Sequence, residues 1–485
     1  MKDEPEIVKI LREEERLGKF QFYFHRKNDR FQTSYGDSDN SISYKSSDRK
    51  ISHRITLSKK NLFTAYKMII SNKIFEGENI KKFEDAFKEY LGIKHAISTS
   101  SGRMALYLIL KSLDIKEGDE ILIPAYMLPL LPQVSIYCGL KPVFVDIDPH
   151  TFNIDPNEIE KKITKNTKAI LIVHIFGIPC DMEKIENIAK KNDVIIIEDC
   201  AQAIGAEYKG KKVGTFGKIS YFSFGCIKDL NTFDGGMIVT NDDILNDRIR
   251  EKIIDIPCPE KNVIVKKVVK KSLNWFSGTP PIFNYATYPL FRLIYLFDKD
   301  FVFNIMKSKG VLKLLNLSEK EFLEKYRFLY TNFQATIGLE QLKVLDKNIM
   351  IKINNAETLN SNLKTPVSIN KNRRCSCYRY CIKTEDPKTL LVKLFKAGIL
   401  TTDGSYLVLP DLEMFKKYQC DCPNARKISR QLIYIPVQPH LRKKDMMKII
   451  NVIDKYLYKA ELNEDIFLLK ENVRHRLYSK ISKQV

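Results

Sequence analysis

Short apolar segments alternate with stretches of helical periodicity between residues 95 and 240. The segments EILIP, PVFVDI, AILIVHIF and VIIIED are almost continuously apolar, and helical patterns separate them. Strands that are apolar on both faces are typical of a parallel sheet with helices on both sides. Asp155 and Pro156 support one of the helices, because aspartate is a preferred N-cap and proline fits the first turn. The pattern predicts a mainly parallel α/β domain that binds ligands at the carboxyl ends of its strands.

The 485 residues divide into five segments by composition and periodicity. A charged, Ser- and Asn-rich extension comes first, followed by the α/β domain, an irregular helical insertion, a long helix with a smaller α+β domain, and a basic tail. The predicted boundaries are, in that order, 1–58, 59–243, 244–330, 331–458 and 459–485.

The formal net charge of +21 is compatible with a nucleic acid, an anionic membrane surface or an acidic small molecule as partner. The lysines are scattered through every segment, often beside glutamates, and there is no arginine-rich run. Recognition of a nucleic acid usually needs a concentrated basic patch or a known motif. We therefore expect no nucleic-acid partner.

The aromatic-rich segment 280–306 comes nearest to a membrane span. Arg292, Asp298, Lys299 and Asp300 interrupt it, whereas a span needs about 20 apolar residues. We expect a helical element packed on the body of the protein or on a partner subunit, with contact to a membrane surface as the less favoured alternative. The first residues are charged and show no secretory pattern, so we expect a cytoplasmic protein.

The ten cysteines show no C-x₂-C spacing of the kind that zinc and iron–sulfur sites use. We therefore expect free thiols and no metal site.

A single lysine, Lys228, lies in the segment YFSFGCIKDLNTFDGG between two predicted strands. It is either a solvated loop lysine or a desolvated lysine that acts as a nucleophile. Ser223, five residues earlier at the end of the preceding strand, is close enough to face the same ligand.

Two other strand ends carry polar residues. Asp199 ends the strand VIIIED, and Gln202 follows one predicted helical turn later; Asp199 either faces a cationic partner or caps the next helix. The stretch Ser100-Ser101-Gly102 leads from a strand into a helix, where free backbone N–H groups can hold a phosphate, although a glycine there can be only a turn. Pyridoxal phosphate needs such a cradle together with a carboxylate and a lysine.

Several ordered segments resemble the DegT/StrS family of sugar aminotransferases, which are fold type I pyridoxal-phosphate enzymes. The resemblance extends from about residue 58 to 457, apart from most of 244–325. The matching segments are FEDAFKEYLGIKHAISTSSGRMAL, GDEILIPAY, KPVFVDIDPHTFNIDP, TKAILIVHIFGIPCDM, IIEDCAQAIGAEYKGKKVGTFGKISYFSF, KDLNTFDGGMIVTND and CPNARKISRQLIYIPVQPHL.

The resemblance implies a fold type I structure, with a large, mainly parallel domain and a smaller α+β domain. It implies pyridoxal 5′-phosphate as cofactor, an amino acid such as glutamate as amino donor, and a keto-sugar, probably nucleotide-linked, as acceptor. It also implies a homodimer, because such sites resemble half-sites that a neighbouring subunit completes. The implied site residues are Lys228 as the catalytic lysine that carries the cofactor and moves protons, Asp199 at the ring nitrogen, Gln202 near the ring, Ser223 with the backbone of Gly102, Arg103 and Met104 at the phosphate, and His174 close to the cofactor.

Four positions depart from the family pattern, one of them Leu329, which replaces an arginine. Arg103 replaces a small hydroxyl residue, Leu128 replaces an aromatic ring that stacks on the cofactor, and Arg327 replaces an asparagine that reaches the partner subunit's site. Two alternatives therefore stay open: a non-catalytic or regulatory protein with this fold, and a pyridoxal-phosphate-dependent sugar dehydratase. The dehydratases of the family carry histidine in place of the lysine, so Lys228 favours an aminotransferase.

Overall fold

The computed structural model describes residues 50–51, 56–298, 317–363, 373–403 and 406–456. A seven-stranded sheet forms the centre of this part of the chain. Its strands are β1 (His95–Thr99), β2 (Glu120–Pro124), β3 (Lys141–Val145), β4 (Thr167–Val173), β5 (Ile195–Asp199), β6 (Ile219–Ser223) and β7 (Gly236–Thr240).

The strand order is β1-β7-β6-β5-β4-β2-β3. Strand β7 is antiparallel to both of its neighbours, and the other pairs are parallel. The reason is the connection: residues 224–235 join β6 to β7 without a crossover helix, and a connection of that kind returns the chain in the opposite direction. The prediction of a mainly parallel sheet is confirmed. All five residues of β7 are buried, because both faces of the strand are covered: Ile238 packs in one hydrophobic cluster, and Met237 and Val239 pack in another.

Helices cover the sheet much as the periodicity predicts. Asp155 caps the helix Pro156–Lys162 by accepting the N–H of Asn157, with Pro156 in the first turn. Gly92 ends the helix Asn79–Leu91 at a φ of 72°. The other helices around the sheet are Lys59–Ile70, Gly102–Ser112, Leu130–Tyr137, Met182–Asn192 and Asp243–Ile254. A short strand, Tyr126–Met127, precedes Leu130–Tyr137 and pairs with Leu407–Val408. The sequence pattern predicts helix from Met127 to Tyr137, but Met127 belongs to the strand and the helix begins only at Leu130.

The region after β7 is helical, as expected. The aromatic segment forms Pro280–Ile282, a π-helical turn at Phe283–Thr287 and the helix Tyr288–Phe297. Phe283, Tyr288 and Tyr295 pack against Phe395 of the C-terminal region. Two further helices of the region after β7 are Lys261–Ser277 and Glu319–Tyr326. Within the described ranges, no helix has the length and apolar character to cross a membrane; residues 299–306 of the predicted insertion lie outside those ranges.

A helix of 31 residues, Asn332–Asn362, leads to the C-terminal region and agrees with its prediction. The strands Tyr380–Lys383 and Leu432–Ile435 then pair antiparallel, flanked by the helices Pro387–Lys396 and Pro423–Gln431 and by a helix over 443–456. A small antiparallel sheet joins Glu207–Tyr208, Lys211–Lys212 and Arg373–Arg374. Most of the predicted extension 1–58 and all of the predicted tail 459–485 lie outside the described residues, and the domain boundaries stay predictions.

Candidate active site

Asp199 ends β5 and is 5% exposed. One carboxylate oxygen accepts the backbone N–H of Ala201 at 2.8 Å, and the other accepts the hydroxyl of Tyr221 at 2.8 Å. Burial raises the pKa of this carboxyl group, although both donors and the nearby charge of Lys228 act in the opposite direction. A cation placed against Asp199 would therefore stabilise its ionised form.

The residue before Asp199, Glu198, is a fully buried carboxylate with five hydrogen bonds. It accepts the hydroxyl of Ser220 at 3.1 Å and the Nε2 of His174 at 3.1 Å, together with the backbone N–H groups of Gly214, Phe216 and Gly217. Burial alone would raise the pKa of Glu198, but these donors outweigh it and hold the pKa below its ordinary value. The other ring nitrogen of His174, Nδ1, accepts the backbone N–H of Cys180 at 3.1 Å. Both ring nitrogens of His174 thus bind protein groups, with the proton on Nε2.

Lys228 lies half-buried in the loop between β6 and β7. Its backbone N–H donates to the carbonyl of Gly225 at 2.9 Å. Its Nζ lies 5.0 Å from the centre of the Tyr378 ring, which comes from the C-terminal region. The lysine therefore extends into the space between the carboxyl edge of the sheet and the C-terminal region.

The long helix fixes the loop next to Lys228. The buried Lys352 Nζ binds both carboxylate oxygens of Asp229, at 2.7 and 2.8 Å. The amide of Gln341 exchanges two hydrogen bonds with the backbone of Asn231, at 2.8 and 2.6 Å. These contacts limit the freedom of the loop and so hold Lys228 in place.

The start of the helix Gly102–Ser112 lies directly against the end of β6. A Cβ atom on Gly102 would lie 2.9 Å from the Cβ of Ser223, and one on Gly236 would lie 2.8 Å from the backbone N of Gly102. The first N–H groups of a helix have no acceptor within the helix. Here these N–H groups lie beside the hydroxyl of Ser223. The N–H groups and the hydroxyl together make a cradle for an anion. The N–H of Met104 is the exception, because it donates to the capping hydroxyl of Ser101 at 3.2 Å.

Gln202 follows Asp199 through turns rather than through the predicted helical turn, since residues 200–206 form no helix. Its side-chain oxygen accepts the N–H of Phe176 at 3.1 Å. Phe176 has a φ of 57°, a strained value for a residue with a side chain, and strain of this kind is concentrated at functional sites.

Arg103, Arg327 and Leu128, three of the four departures from the family pattern, have different surroundings. The guanidinium of Arg103 binds the hydroxyl of Tyr326 and lies 4.5 Å from the centre of that ring. The guanidinium of Arg327 donates to the carbonyl of Asp255 at 3.2 Å. Leu128 is half-buried between the strand Tyr126–Met127 and the following helix. In the described part of the chain, Arg103 and Arg327 therefore contact residues of the same subunit.

Sequence reasoning missed Tyr221, Glu198, Tyr378 and Arg379 as neighbours of the site. Tyr221 and Glu198 face their partners across adjacent strands, which a sequence pattern does not identify. Arg379 did leave a signal, because it is a charged residue inside the aromatic segment CYRYCIKT.

The residues present fit pyridoxal phosphate. The cradle at Gly102 and Ser223 suits its phosphate, and the buried Asp199, whose donors are all neutral, suits a protonated ring nitrogen. Lys228 is the nearby amine.

Comparison with known proteins identifies one enzyme family. The sequence profile of the DegT/DnrJ/EryC1/StrS aminotransferase family matches residues 56–260 and 304–454. The GDP-perosamine synthase of Escherichia coli O157:H7 is 47% identical over 173 residues, which is 36% of this chain and 48% of that protein. The matched region thus spans about half the length of that relative. An uncharacterized protein of Methanocaldococcus jannaschii is 30% identical over 400 residues, which is 79% of this chain and 92% of that protein.

Among solved structures, S. venezuelae DesV in complex with a ketimine intermediate superposes with a TM-score of 0.66 at 22% identity. The match covers 84% of this chain and 99% of DesV, and it shows the shared fold. The family profile matches most of the chain, and it therefore shows family membership, which the shared fold alone does not. The chain belongs to the DegT/DnrJ/EryC1/StrS aminotransferase family, whose cofactor is pyridoxal 5′-phosphate.

Proposed function

We propose that this protein is an aminotransferase that moves an amino group from an amino acid, glutamate, to a nucleotide-linked keto-sugar in glycan or surface-polysaccharide biosynthesis. The observation that carries the proposal is the convergence of Lys228, the buried Asp199 and the cradle of Gly102 and Ser223 at one edge of the sheet. Members of the family act on sugars, and the E. coli relative is named for a GDP-linked sugar.

Each residue of the site has a defined task. When bound, pyridoxal phosphate accepts the electrons of the bond that breaks at the carbon bearing the amino group. Asp199, ionised, holds the proton on the ring nitrogen, and Tyr221 fixes the orientation of the carboxylate. The hydroxyl of Ser223 and the helix-start N–H groups of Gly102 and Arg103 bind the phosphate.

The Nζ of Lys228 would hold the cofactor, and the same amine, when free, would carry a proton to or from the substrate. The ring of Tyr378 beside Nζ excludes water from one side of the amine. Glu198 and His174 act at a distance from the reaction: they are positioning residues that fix the end of β5, and with it Asp199.

The test is a half-reaction with the purified full-length protein. Loaded with pyridoxal phosphate and mixed with glutamate, it should convert the absorbance of the bound aldehyde form to that of the amine form, with release of 2-oxoglutarate. Nucleotide-linked 4-keto- and 3-keto-sugars should then restore the first spectrum. Lys228→Ala should do neither, whereas Lys218→Ala should do both, because Lys218 is an exposed lysine paired with Asp242.

Two results would count against the proposal. If the loaded wild-type protein leaves every amino acid unchanged, the regulatory alternative is favoured. If it eliminates water from a keto-sugar without consuming an amino donor, the protein is a dehydratase. The homodimer, the cytoplasmic location and the five segments remain predictions alongside this proposal.

A further inference from the structure

Two helices of this protein lie outside the family profile. The profile matches residues 56–260 and 304–454, so it leaves out both Lys261–Ser277 and Tyr288–Phe297. These helices are therefore an addition to the part of the chain that the family shares, and the reaction by itself does not account for their side chains.

Exposed apolar side chains are concentrated in this part of the chain. Among the described residues, nineteen large hydrophobic side chains are exposed, and nine of them belong to residues 261–297. Apolar side chains that are scattered singly over a surface need no explanation, whereas a cluster of them marks an interaction site. The two helices therefore carry a surface that a partner covers.

The helix Tyr288–Phe297 is apolar on two opposite faces. On the inner face, Tyr288 and Tyr295 pack against Phe395, with ring centres 5.6 and 5.1 Å apart. The outer face presents three side chains at helical spacing, with exposed fractions of 51%, 53% and 85%: Leu290, Leu293 and Phe297. A helix on the surface of a soluble protein normally has charged or polar residues on its outer face. The packing predicted for this segment therefore accounts for the inner face only.

The helix Lys261–Ser277 has a similar exposed stripe, bordered by lysines. The members of the stripe follow each other at helical spacing and are Val269, Leu273 and Phe276. Lys266 and Lys270 each precede a member of the stripe by three residues, which places them beside it on the helix surface. The hydroxyl of Thr287 donates to the carbonyl of Ser277 at 2.9 Å, so the end of this helix contacts the start of the next. The two stripes thus belong to one helical unit.

The charge of this unit is almost wholly positive. Residues 261–297 contain five lysines, one arginine and no acidic residue. Among the described residues, Lys266 and Lys270 form no ion pair, whereas Lys267 pairs with Asp234. Exposed apolar side chains beside unpaired lysines are the features with which an amphipathic helix binds the interface of an anionic membrane.

A second copy of this chain fits the same surface less well. A twofold interface places the same patch of both subunits together, so the lysines of one copy would meet those of the other. Like charges brought together in this way oppose association. An anionic lipid surface instead offers apolar chains to the stripes and phosphates to the lysines.

We propose that the exposed stripes of these two helices bind the surface of an anionic membrane. The leucine and phenylalanine side chains enter the boundary between headgroups and acyl chains, and Lys266 and Lys270 contact lipid phosphates. The inner face of Tyr288–Phe297 stays packed on the body of the protein. The inference concerns where the enzyme is held, and it does not depend on the proposed function.

The experiment measures co-sedimentation of the full-length protein, loaded with pyridoxal phosphate, with lipid vesicles. Wild type should bind vesicles made of equal parts of phosphatidylcholine and phosphatidylglycerol, and should bind phosphatidylcholine vesicles more weakly. The double variant Lys266→Gln with Lys270→Gln should lower the affinity for the anionic vesicles about 30-fold, roughly fivefold for each lysine. The double variant Leu290→Gln with Leu293→Gln should lower it roughly 10- to 100-fold, because less apolar surface is buried in the lipid.

Two matched controls should bind as wild type does. Lys343→Gln with Lys347→Gln removes two exposed lysines that have the same spacing but belong to the helix Asn332–Asn362. Ile244→Gln with Ile254→Gln removes two apolar side chains that are 66% and 77% exposed but lie outside the two helices.

Several results would overturn the inference. One is the absence of wild-type binding to the anionic vesicles, and another is equal binding by the stripe variants and their controls. A smaller oligomer of Leu290→Gln with Leu293→Gln in solution, with vesicle binding retained, would assign the surface to a second copy. A lower melting temperature of that variant without vesicles, again with binding retained, would assign it to another segment of this chain. If the leucine variant does not fold, the lysine variant carries the comparison, because exposed lysines contribute little to stability.

Discussion

The contact between Gly102 and Ser223 allows the anion cradle to be tested by a double-mutant cycle. In Gly102→Ala, the new Cβ would lie 2.9 Å from the Cβ of Ser223. Carbon atoms in ordinary contact are about 3.5–4.0 Å apart, so the helix start and the end of β6 must separate by roughly 0.5–1 Å. Overpacking of this kind costs about 1–3 kcal/mol in the free energy of unfolding.

The same separation damages the cradle. The Ser223 hydroxyl and the helix-start N–H groups can no longer bind one phosphate together. Loss of one charge-assisted hydrogen bond, about 1.5–3 kcal/mol, raises the dissociation constant for pyridoxal phosphate roughly 10- to 150-fold. Ser223→Ala should weaken cofactor binding by a similar factor without the cost in stability.

Chemical denaturation of the cofactor-free protein checks the steric part. In a Ser223→Gly background the next nearest atom to the new Cβ is the carbonyl oxygen of Phe222, at an ordinary 3.5 Å. Gly102→Ala should then be neutral or slightly stabilising, because alanine is the better helix former. Gly225→Ala serves as a control, since its Cβ would meet no atom closer than 3.8 Å. An equal loss of stability from Gly102→Ala in both backgrounds would refute the reasoning.

Three further predictions concern the carboxylates and the lysine. Borohydride reduction of the loaded protein followed by peptide mapping should place the pyridoxyl group on Lys228; Lys228→Ala should fold normally and show no label, and a label on another lysine would contradict the assignment. Asp199→Asn should retain the cofactor but lose most of its turnover, because the ring nitrogen is no longer held protonated; retained turnover in a single-turnover assay would argue against this role. Glu198→Gln should lower the free energy of unfolding by about 3–5 kcal/mol at pH 7, as for a broken buried charge network. The folded-state pKa of Glu198 is lowered, so its contribution is present above the unfolded value of about 4.3 and is lost as pH falls through the folded pKa. The difference between wild type and Glu198→Gln in pH-dependent denaturation should therefore shrink below about pH 4, and a constant difference would contradict it.

Much of this architecture could be predicted from the sequence because its signals are local. The apolar strands, the cap at Asp155 and Pro156 and the long helix Asn332–Asn362 each depend on residues within a few turns of one another. The strand ends at Asp199 and Ser223 and the loop that carries Lys228 could be located in the same way. The helical turn expected after Asp199 was wrong, since the carboxylate accepts the N–H of Ala201 in a tight turn.

Only the tertiary structure decided which of these local elements meet. The placement of β7 between β1 and β6 brings Gly236 against Gly102, and thereby builds the cradle. The packing of the C-terminal region on the chain after β4 places Arg379 and Tyr378 beside Lys228, about 150 residues away in the sequence. The physical reason is that periodicity and capping report how each segment is buried, whereas the partner that buries it depends on strand order and on packing between distant segments.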